Sequence, residues 1–360
     1  MKITFVLPIP SLAGGVRVVA IYAGKLLERG HDVRVISLCP RASSRSHRLM
    51  QLARHGFRQG RKKSDTTLLD FLGDRHIVID KPLPLNPDLI PDADAIVATW
   101  WSTAFAVSAL PPSKGRHFYF IQHHEVHDHL PWHLSRGSYF LPMRKITISQ
   151  WLAETMATLY GDRDVAIIEN SVDMAQFHAP ERDRNAVPTV GLLYSTKPMK
   201  GVDISLAAIR IARQRVPDLR VVAFGEHPVD PALPLPQGSE FHLRPDQDRL
   251  RDIYAACDVW LCGSRTEGFH LPPSEAMACR CPVVSTRIGG AVEIVTEGVN
   301  GHIVDVEDST ALGERLADVL SLSPAAWKAM SDAALARAQS YTWDEAAERF
   351  ERCLVAGLCD

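Results

Sequence analysis

The chain has 360 residues, is 46% hydrophobic and 23% charged, and carries a net charge of −2. That length accommodates two domains with cores of their own, and the ordinary composition excludes a disordered or fibrous chain. The near-zero net charge singles out no polyanionic partner, and none of the nucleic-acid kind is expected.

The chain opens MKITFVLPIPSLAGG. A strand is predicted at 2–7, and the prolines at 8 and 10 interrupt the apolar stretch, so it does not read as a signal peptide. A helix follows at 16–29, ended by Gly30 in the left-handed cap position. Further strands are predicted at 33–37, 76–79, 95–100, 117–122, 145–149 and 165–168, with a helix at 150–160 ended by Gly161. Trp100 and Trp101 are expected to close the strand at 95–100, where an acceptor would stack on them.

Between the second and third of these strands, residues 41–64 hold eight Arg or Lys and no Asp or Glu. Leu49, Met50, Ala53 and Phe57 recur among the bases at roughly helical spacing. Residues 41–63 are therefore expected to contact an anionic membrane surface. No apolar run is long enough to span a bilayer, so the expected location is cytoplasmic and at most peripheral to a membrane. Seven cysteines at irregular spacing form no disulfide framework and are expected to be reduced.

The stretch IQHHEVHDHLPWH holds five histidines. It follows a strand rather than opening a helix, so a metal site is not expected. If the strand persists, adjacent His123 and His124 face opposite ways and only one enters a ligand site.

After the polar stretch HAPERDRNAVP the pattern restarts. Strands are predicted at 189–194, 219–224, 240–243, 259–262 and 282–285. Helices are predicted at 202–214, 247–256, 273–278 and 309–320, with a last helix around 343–353. Strand–helix alternation of this kind gives parallel sheets covered on both faces. The expected fold is α/β with two doubly wound, Rossmann-like domains, and ligands at the carboxyl ends of the strands in a cleft between them.

Glu267 and Glu275 stand either side of a loop with seven residues between them. Pro272 and Pro273 suit a helix start. The amides of Phe269, His270 and Leu271 then face an anion site, most naturally for phosphate. The two carboxylates accept from hydroxyls on either side of it. A ligand with hydroxyls, a diphosphate and a ribose is a nucleotide-sugar.

EGFHLPPSEAMA, followed by PVVSTRIGGAVEIV and EGVNGHIVD, resembles the retaining glycosyltransferases of family four, which have the GT-B fold. LAGGVRVVAIYAGKLLERGHDVRVIS, ITISQWLAETM, IIENSVDMAQF, KPMKGVDISLAAIR and SYTWDEAAERF extend the resemblance over nearly the whole chain. It implies an acceptor-binding domain at 1–175, a nucleotide-sugar-binding domain at 176–340 and a final helix at 341–360 packing back toward the first domain. It implies sugar transfer from a nucleoside-diphosphate-sugar to a glycan or lipid-linked acceptor, as in cell-surface polysaccharide synthesis, with no cofactor or metal.

By the same resemblance Glu267 contacts the donor sugar, Glu275 the ribose, and Lys200 the leaving diphosphate. Gly14, Gly15, Gly268 and the amides of Phe269, His270 and Leu271 hold the phosphates. His124, or else His123, lies beside the donor sugar. The family pattern is broken at Ser195, where an arginine is usual, and at His270 and Arg280, where glycines are usual. Lys197 is expected to replace the missing cation, with Arg265 as second candidate. Alternative readings are a GT-B enzyme of another class, a phosphorylase or nucleotide-sugar epimerase, or a non-catalytic partner subunit.

Overall fold

The computed structural model describes residues 1–10, 14–38, 68–79, 84–127 and 130–359. Cys39, His129 and the basic segment with its expected membrane contact lie outside the described residues.

The first sheet contains β1 (Lys2–Leu7), β2 (Asp32–Leu38), β3 (His76–Ile79), β4 (Ala95–Ala98), β5 (Arg116–Ile121), β6 (Arg144–Thr147) and β7 (Val165–Ile167), in the order β3-β2-β1-β4-β5-β6-β7. The second contains β8 (Thr189–Tyr194), β9 (Arg220–Gly225), β10 (Glu240–Leu243), β11 (Val259–Cys262), β12 (Val283–Thr286) and β13 (Gly301–Val304), in the order β10-β9-β8-β11-β12-β13. Within the first sheet β1 runs parallel to β2 and β4, and within the second β8 runs parallel to β9 and β11. Each order starts in the middle, runs to one edge, then crosses to the other side. That reversal is the doubly wound switch point, where the carboxyl ends of neighbouring strands part and leave room for a ligand.

The strands are buried because helices cover both faces. All four residues of β4 and of β11 are buried, and so are five of six in β1. Helices α1 (Gly14–Glu28), α2 (Trp101–Ser108), α3 (Trp132–Ser138) and α4 (Gln150–Tyr160) alternate with the strands of the first sheet. The second series has α5 (Val202–Ala212), α6 (Gln247–Ala255), α7 (Leu271–Ala278), α8 (Ala291–Ile294), α9 (Ser309–Leu320), α10 (Pro324–Gln339) and α11 (Trp343–Cys359). Caps fix several ends. Ser149 accepts from the Leu152 amide at 3.3 Å, and Gly161 closes α4 at φ 72°. Asp308 accepts from the Ala311 amide at 2.8 Å to start α9.

Compactness divides the chain into one unit of Met1–Ile146 with Phe350–Asp360, and another of Thr147–Arg349. By compactness the division falls at Ile146, ahead of the expected 175, although β7 of the first sheet lies beyond it; several groups after β6 find their partners further along the chain. The Trp151 amide donates to Glu293 at 3.2 Å, Ser171 Oγ to the Tyr341 carbonyl at 2.6 Å, and Phe177 meets Tyr254 edge-on at 5.9 Å. Phe350, in α11, is fully buried in the first unit against Phe5, Tyr22 and Phe120.

Trp101 does not close a strand. It is the first residue of α2, because the Thr103 hydroxyl accepts from the Thr99 and Trp100 amides at 3.1 and 3.0 Å and turns the chain. Helix α10 is absent from the sequence prediction, although Ser323–Pro324 is a helix-start pair and the Ser323 hydroxyl caps the Ala326 amide at 3.3 Å. Among the described residues no helix is long and apolar enough to cross a membrane.

Candidate active site

In the second unit, two close backbone approaches build the site. The chain leaves β8, makes a short 3-10 turn at Pro198–Lys200, and enters α5 through Gly201 at φ 52°. A Cβ on Gly201 would lie 1.8 Å from the Gly263 carbonyl oxygen, just after β11. Only glycine permits both the left-handed turn and that approach. The Arg265 amide donates to the Met199 carbonyl at 2.8 Å, and the Gly263 amide to Ser205 Oγ at 3.0 Å, so the two loops are stitched together.

The result is a direct pair between two expected site residues. Lys200 Nζ lies 2.7 and 2.9 Å from the two carboxylate oxygens of Glu267. Ser264 Oγ donates to Glu267 Oε1 at 3.0 Å, and His270 Nε2 stands 3.6 Å from the same oxygen. Burial works against the charged Glu267 carboxyl. His270, the Lys200 ammonium and the Ser264 hydroxyl outweigh it and hold the carboxyl below its usual range. Burial pushes His270 down to about 4 against the pull of Glu267, so its imidazole is neutral at neutral pH.

The second approach holds the loop from behind. The Gly290 amide donates to the Gly268 carbonyl at 3.0 Å. A Cβ on Gly289 would lie 2.4 Å from the carbonyl oxygens of Glu267 and Gly268, and one on Gly290 would lie 2.4 Å from that of Phe269. Gly289 and Gly290 thus fit against this loop through a tertiary contact that their place in the sequence does not indicate.

Phe269 is buried and anchors the loop, and Leu271 begins α7 with Pro272 and Pro273 in its first turn. Among the described residues the amides of Phe269, His270 and Leu271 have no hydrogen-bond acceptor, which leaves three donors at the positive end of a helix. Glu275 lies beyond the first turn of α7, so it is not a helix-dipole acid. It is buried, and Tyr254 donates its hydroxyl to Oε2 at 2.7 Å. Tyr254 packs in turn on Trp260 and Phe224. Sequence reasoning missed Ser264, although it stands three residues before Glu267 at the S-x-x-E spacing, and Tyr254, which lies in α6 at no patterned distance from Glu275.

The two candidate replacement cations differ. Lys197 is exposed, its amide donates to Ser195 Oγ at 3.2 Å, and among the described residues its ammonium pairs with no carboxylate. Arg265 is committed. Its guanidinium donates to Asp203 at 2.9 and 2.7 Å, to Glu307 at 2.5 and 3.2 Å, and to the Pro198 carbonyl at 2.7 Å. Two carboxylates already neutralise that charge, so Arg265 staples the loops rather than offering a free cation.

The remaining expected residues belong to the first unit. Gly14 and Gly15 are the opening residues of α1 rather than a loop before it. Gln122, just past β5, donates to the Gly15 carbonyl at 3.2 Å, and a Cβ on Gly15 would touch that side chain at 3.5 Å. β5 ends at Ile121, so His123 and His124 are not in a strand and the expected alternation does not apply. His123 Nδ1 is 3.0 Å from the His124 carbonyl oxygen, and its ring lies 5.0 Å from that of His127. His124 stacks on Tyr139 at 5.6 Å. Burial first, then His127 and Arg136, lower the His124 imidazole.

Tyr139 shapes this turn: its hydroxyl donates to the His123 carbonyl at 3.2 Å and accepts from the Glu125 amide at 2.8 Å. The buried Glu125 carboxylate accepts from the Trp101 amide at the start of α2, at 3.0 Å. Among the described residues no group of three or more His, Cys, Asp or Glu side chains is arranged to hold a metal ion.

Comparison with known proteins accords with this geometry. The family model for "Glycosyltransferase Family 4" matches residues 12–176, and that for "Glycosyl transferases group 1" matches residues 184–321. A sucrose synthase of Acidithiobacillus caldus is 48% identical over 87 residues, covering 23% of this chain and 11% of that protein. A D-inositol 3-phosphate glycosyltransferase of Streptomyces griseus is 32% identical over 180 residues, 46% of this chain and 38% of that protein. The chain thus spans well under two thirds of the curated relatives it matches.

Among solved structures, HepE of Anabaena in complex with UDP superposes with a TM-score of 0.74 at 18% identity, over 99% of this chain and 100% of that one. Sucrose-phosphate synthase of Thermosynechococcus elongatus gives 0.72 at 16%, over 98% of each chain. At such identities the likeness speaks for the fold. With its two parallel doubly wound sheets and family matches over both halves, the chain belongs to the family-four, group 1 glycosyltransferases and has the GT-B fold.

Proposed function

We propose that this protein is a retaining glycosyltransferase. It moves a sugar from a nucleoside-diphosphate-sugar to a glycan or lipid-linked acceptor in the cytoplasm, as in polysaccharide synthesis, without a metal. The observation that carries this reading is the Lys200–Glu267 pair, at 2.7 Å, set beside three unpartnered amides at the start of α7. HepE, which shares the fold, was crystallised with UDP and with UDP-glucose, which supports a donor of the same class.

Breaking the sugar–phosphate bond leaves a nucleoside diphosphate with more negative charge than it had as a diester. Cations and amides held in place beforehand stabilise that charge without reorganising, usually the largest catalytic contribution. Lys200 supplies the charge, the amides of Phe269, His270 and Leu271 supply oriented donors, and Lys197 supplies the second cation that Ser195 does not. Glu267 accepts from a sugar hydroxyl, Glu275 from the ribose. The first unit, with His124 or His123 and the Gly14–Gly15 helix start, serves the acceptor and the far side of the donor. Residues 41–63 bring the enzyme to an anionic membrane surface.

Thermal shift against a panel of nucleotide-sugars identifies the donor, which at 100 times its dissociation constant stabilises by roughly 2.7 kcal/mol. Turnover with that donor is then measured for Lys200→Ala, Lys197→Ala and Arg265→Ala. The first two are expected to lose at least about tenfold, or 1.4 kcal/mol of transition-state stabilisation, and Arg265→Ala less. No shift with any nucleotide-sugar, or wild-type turnover by Lys200→Ala, overturns the reading.

A further inference from the structure

Four described residues other than glycine hold a positive φ: Arg244, His270, Arg280 and Glu307. Of these His270 is the one that is also buried. A strained, buried side chain persists only where its surroundings over-determine it, and such residues gather at functional sites. The imidazole of His270 is 3% exposed and stands 3.6 Å from Glu267 Oε1. Its other nitrogen, Nδ1, is buried and has no partner among the described residues.

Lys200 faces a conflict of duty in the proposed reaction. Here its ammonium holds both oxygens of Glu267. To stabilise a leaving diphosphate it must share its charge with the phosphate, and its grip on Glu267 then loosens. Ser264 then remains as donor to one oxygen, through a hydroxyl for which the Lys200 carbonyl, at 3.5 Å, is a second acceptor. A second donor with a fixed direction is needed if the carboxylate is to keep its place during transfer.

We propose that His270 is the positioning residue for Glu267, holding its carboxylate through Nε2–H when Lys200 turns to the leaving diphosphate. A neutral imidazole suits this task, because it donates without adding a cation that would compete with Lys200. Burial keeps it neutral. In the tautomer with the proton on Nε2, Nδ1 is a bare acceptor, and no donor among the described residues faces it. The role rests on the proposed glycosyl transfer and adds to it a residue acting through Glu267.

The test compares His270→Ala with His270→Gln. Both keep a Cβ and hence the same backbone strain, but only glutamine offers a donor at the ε position. With the nucleotide-sugar selected above, His270→Ala is expected to lower kcat at least tenfold while the donor KM stays within threefold. His270→Gln is expected to recover kcat to within threefold of wild type. If His270→Ala does not fold, His270→Ser, whose side chain is too short to reach Glu267, takes its place. Wild-type kcat in the alanine or serine variant overturns the proposal. So does a glutamine variant as slow as the alanine one at equal melting temperature. A wild-type protein that transfers sugar from no nucleotide-sugar overturns the proposed function as well; an active wild type with an unimpaired His270→Ala overturns only the role of His270.

Discussion

Three buried glutamates carry three different electrostatic environments. Glu267 has a lysine, a hydroxyl and an imidazole against it and titrates low. Glu275 accepts from Tyr254 inside an aromatic cluster. Glu125 is buried with the Trp101 amide against its carboxylate, and burial raises its carboxyl well above the usual range. A carboxyl whose folded pKa is raised favours the fold below its unfolded value and loses that contribution as pH climbs through the folded value. Glu125→Gln keeps an oxygen for the Trp101 amide and removes the titration. Its melting temperature is therefore expected to exceed wild type at pH 8, by on the order of 1 kcal/mol in stability, with the gap closing toward pH 5. Melting curves across that range check it; a gap that widens toward acid would show the opposite linkage. Glu267 and Glu275 were legible as a spaced pair because the loop between them is continuous in sequence. The orientation of His123 and His124 was not, since it depends on where β5 stops and on a tyrosine in another segment.

Elements were predicted well where periodicity and caps agree. α4 and α9, and strands β1, β8, β10 and β11, occupy the predicted residues. α10 was missed because its alanine-rich run shows little apolar periodicity, although Trp327 is buried and donates to the Asp258 carbonyl at 3.0 Å. The departures from the family at His270 and Arg280 both fall at positive φ, 69° and 61°, where a side chain costs roughly 1–2 kcal/mol. The glycines separate by what surrounds them. Gly201 has a positive φ and a carbonyl in the way, while Gly14 has open space and opens a helix. Gly201→Ala is expected to destabilise by about 2–4 kcal/mol through overpacking and backbone strain. Gly14→Ala is expected to be neutral or stabilising by up to about 1 kcal/mol. Urea unfolding of both variants decides it, and equal midpoints would remove the distinction between a glycine that a contact demands and one that it does not.

At the scale of the whole molecule, the end of the chain completes the core of its beginning. Phe350 is fully buried against Phe5, Tyr22 and Phe120, a Cβ on Gly357 would lie 2.6 Å from Phe118, and Glu351 lies 3.1 Å from His31. Phe350→Ala is expected to cost about 3–5 kcal/mol, read as a lowered urea midpoint; a loss under about 1 kcal/mol would mean the aromatic cluster can close over the gap. The alternation of apolar strands and capped helices was enough, from sequence, to give two doubly wound sheets and the loop that bears Glu267 and Glu275. These are local properties, set by period, cap and turn chemistry within short windows. Tertiary structure alone decided that Lys200 pairs with Glu267, that Gly201 and Gly290 clamp the loop from two sides, that Arg265 is neutralised by Asp203 and Glu307, and that the chain divides at Ile146. Each of those joins segments far apart in the chain. Only the folded positions of two sheets' worth of strands bring such groups within a few ångströms, and no spacing along the sequence encodes that distance.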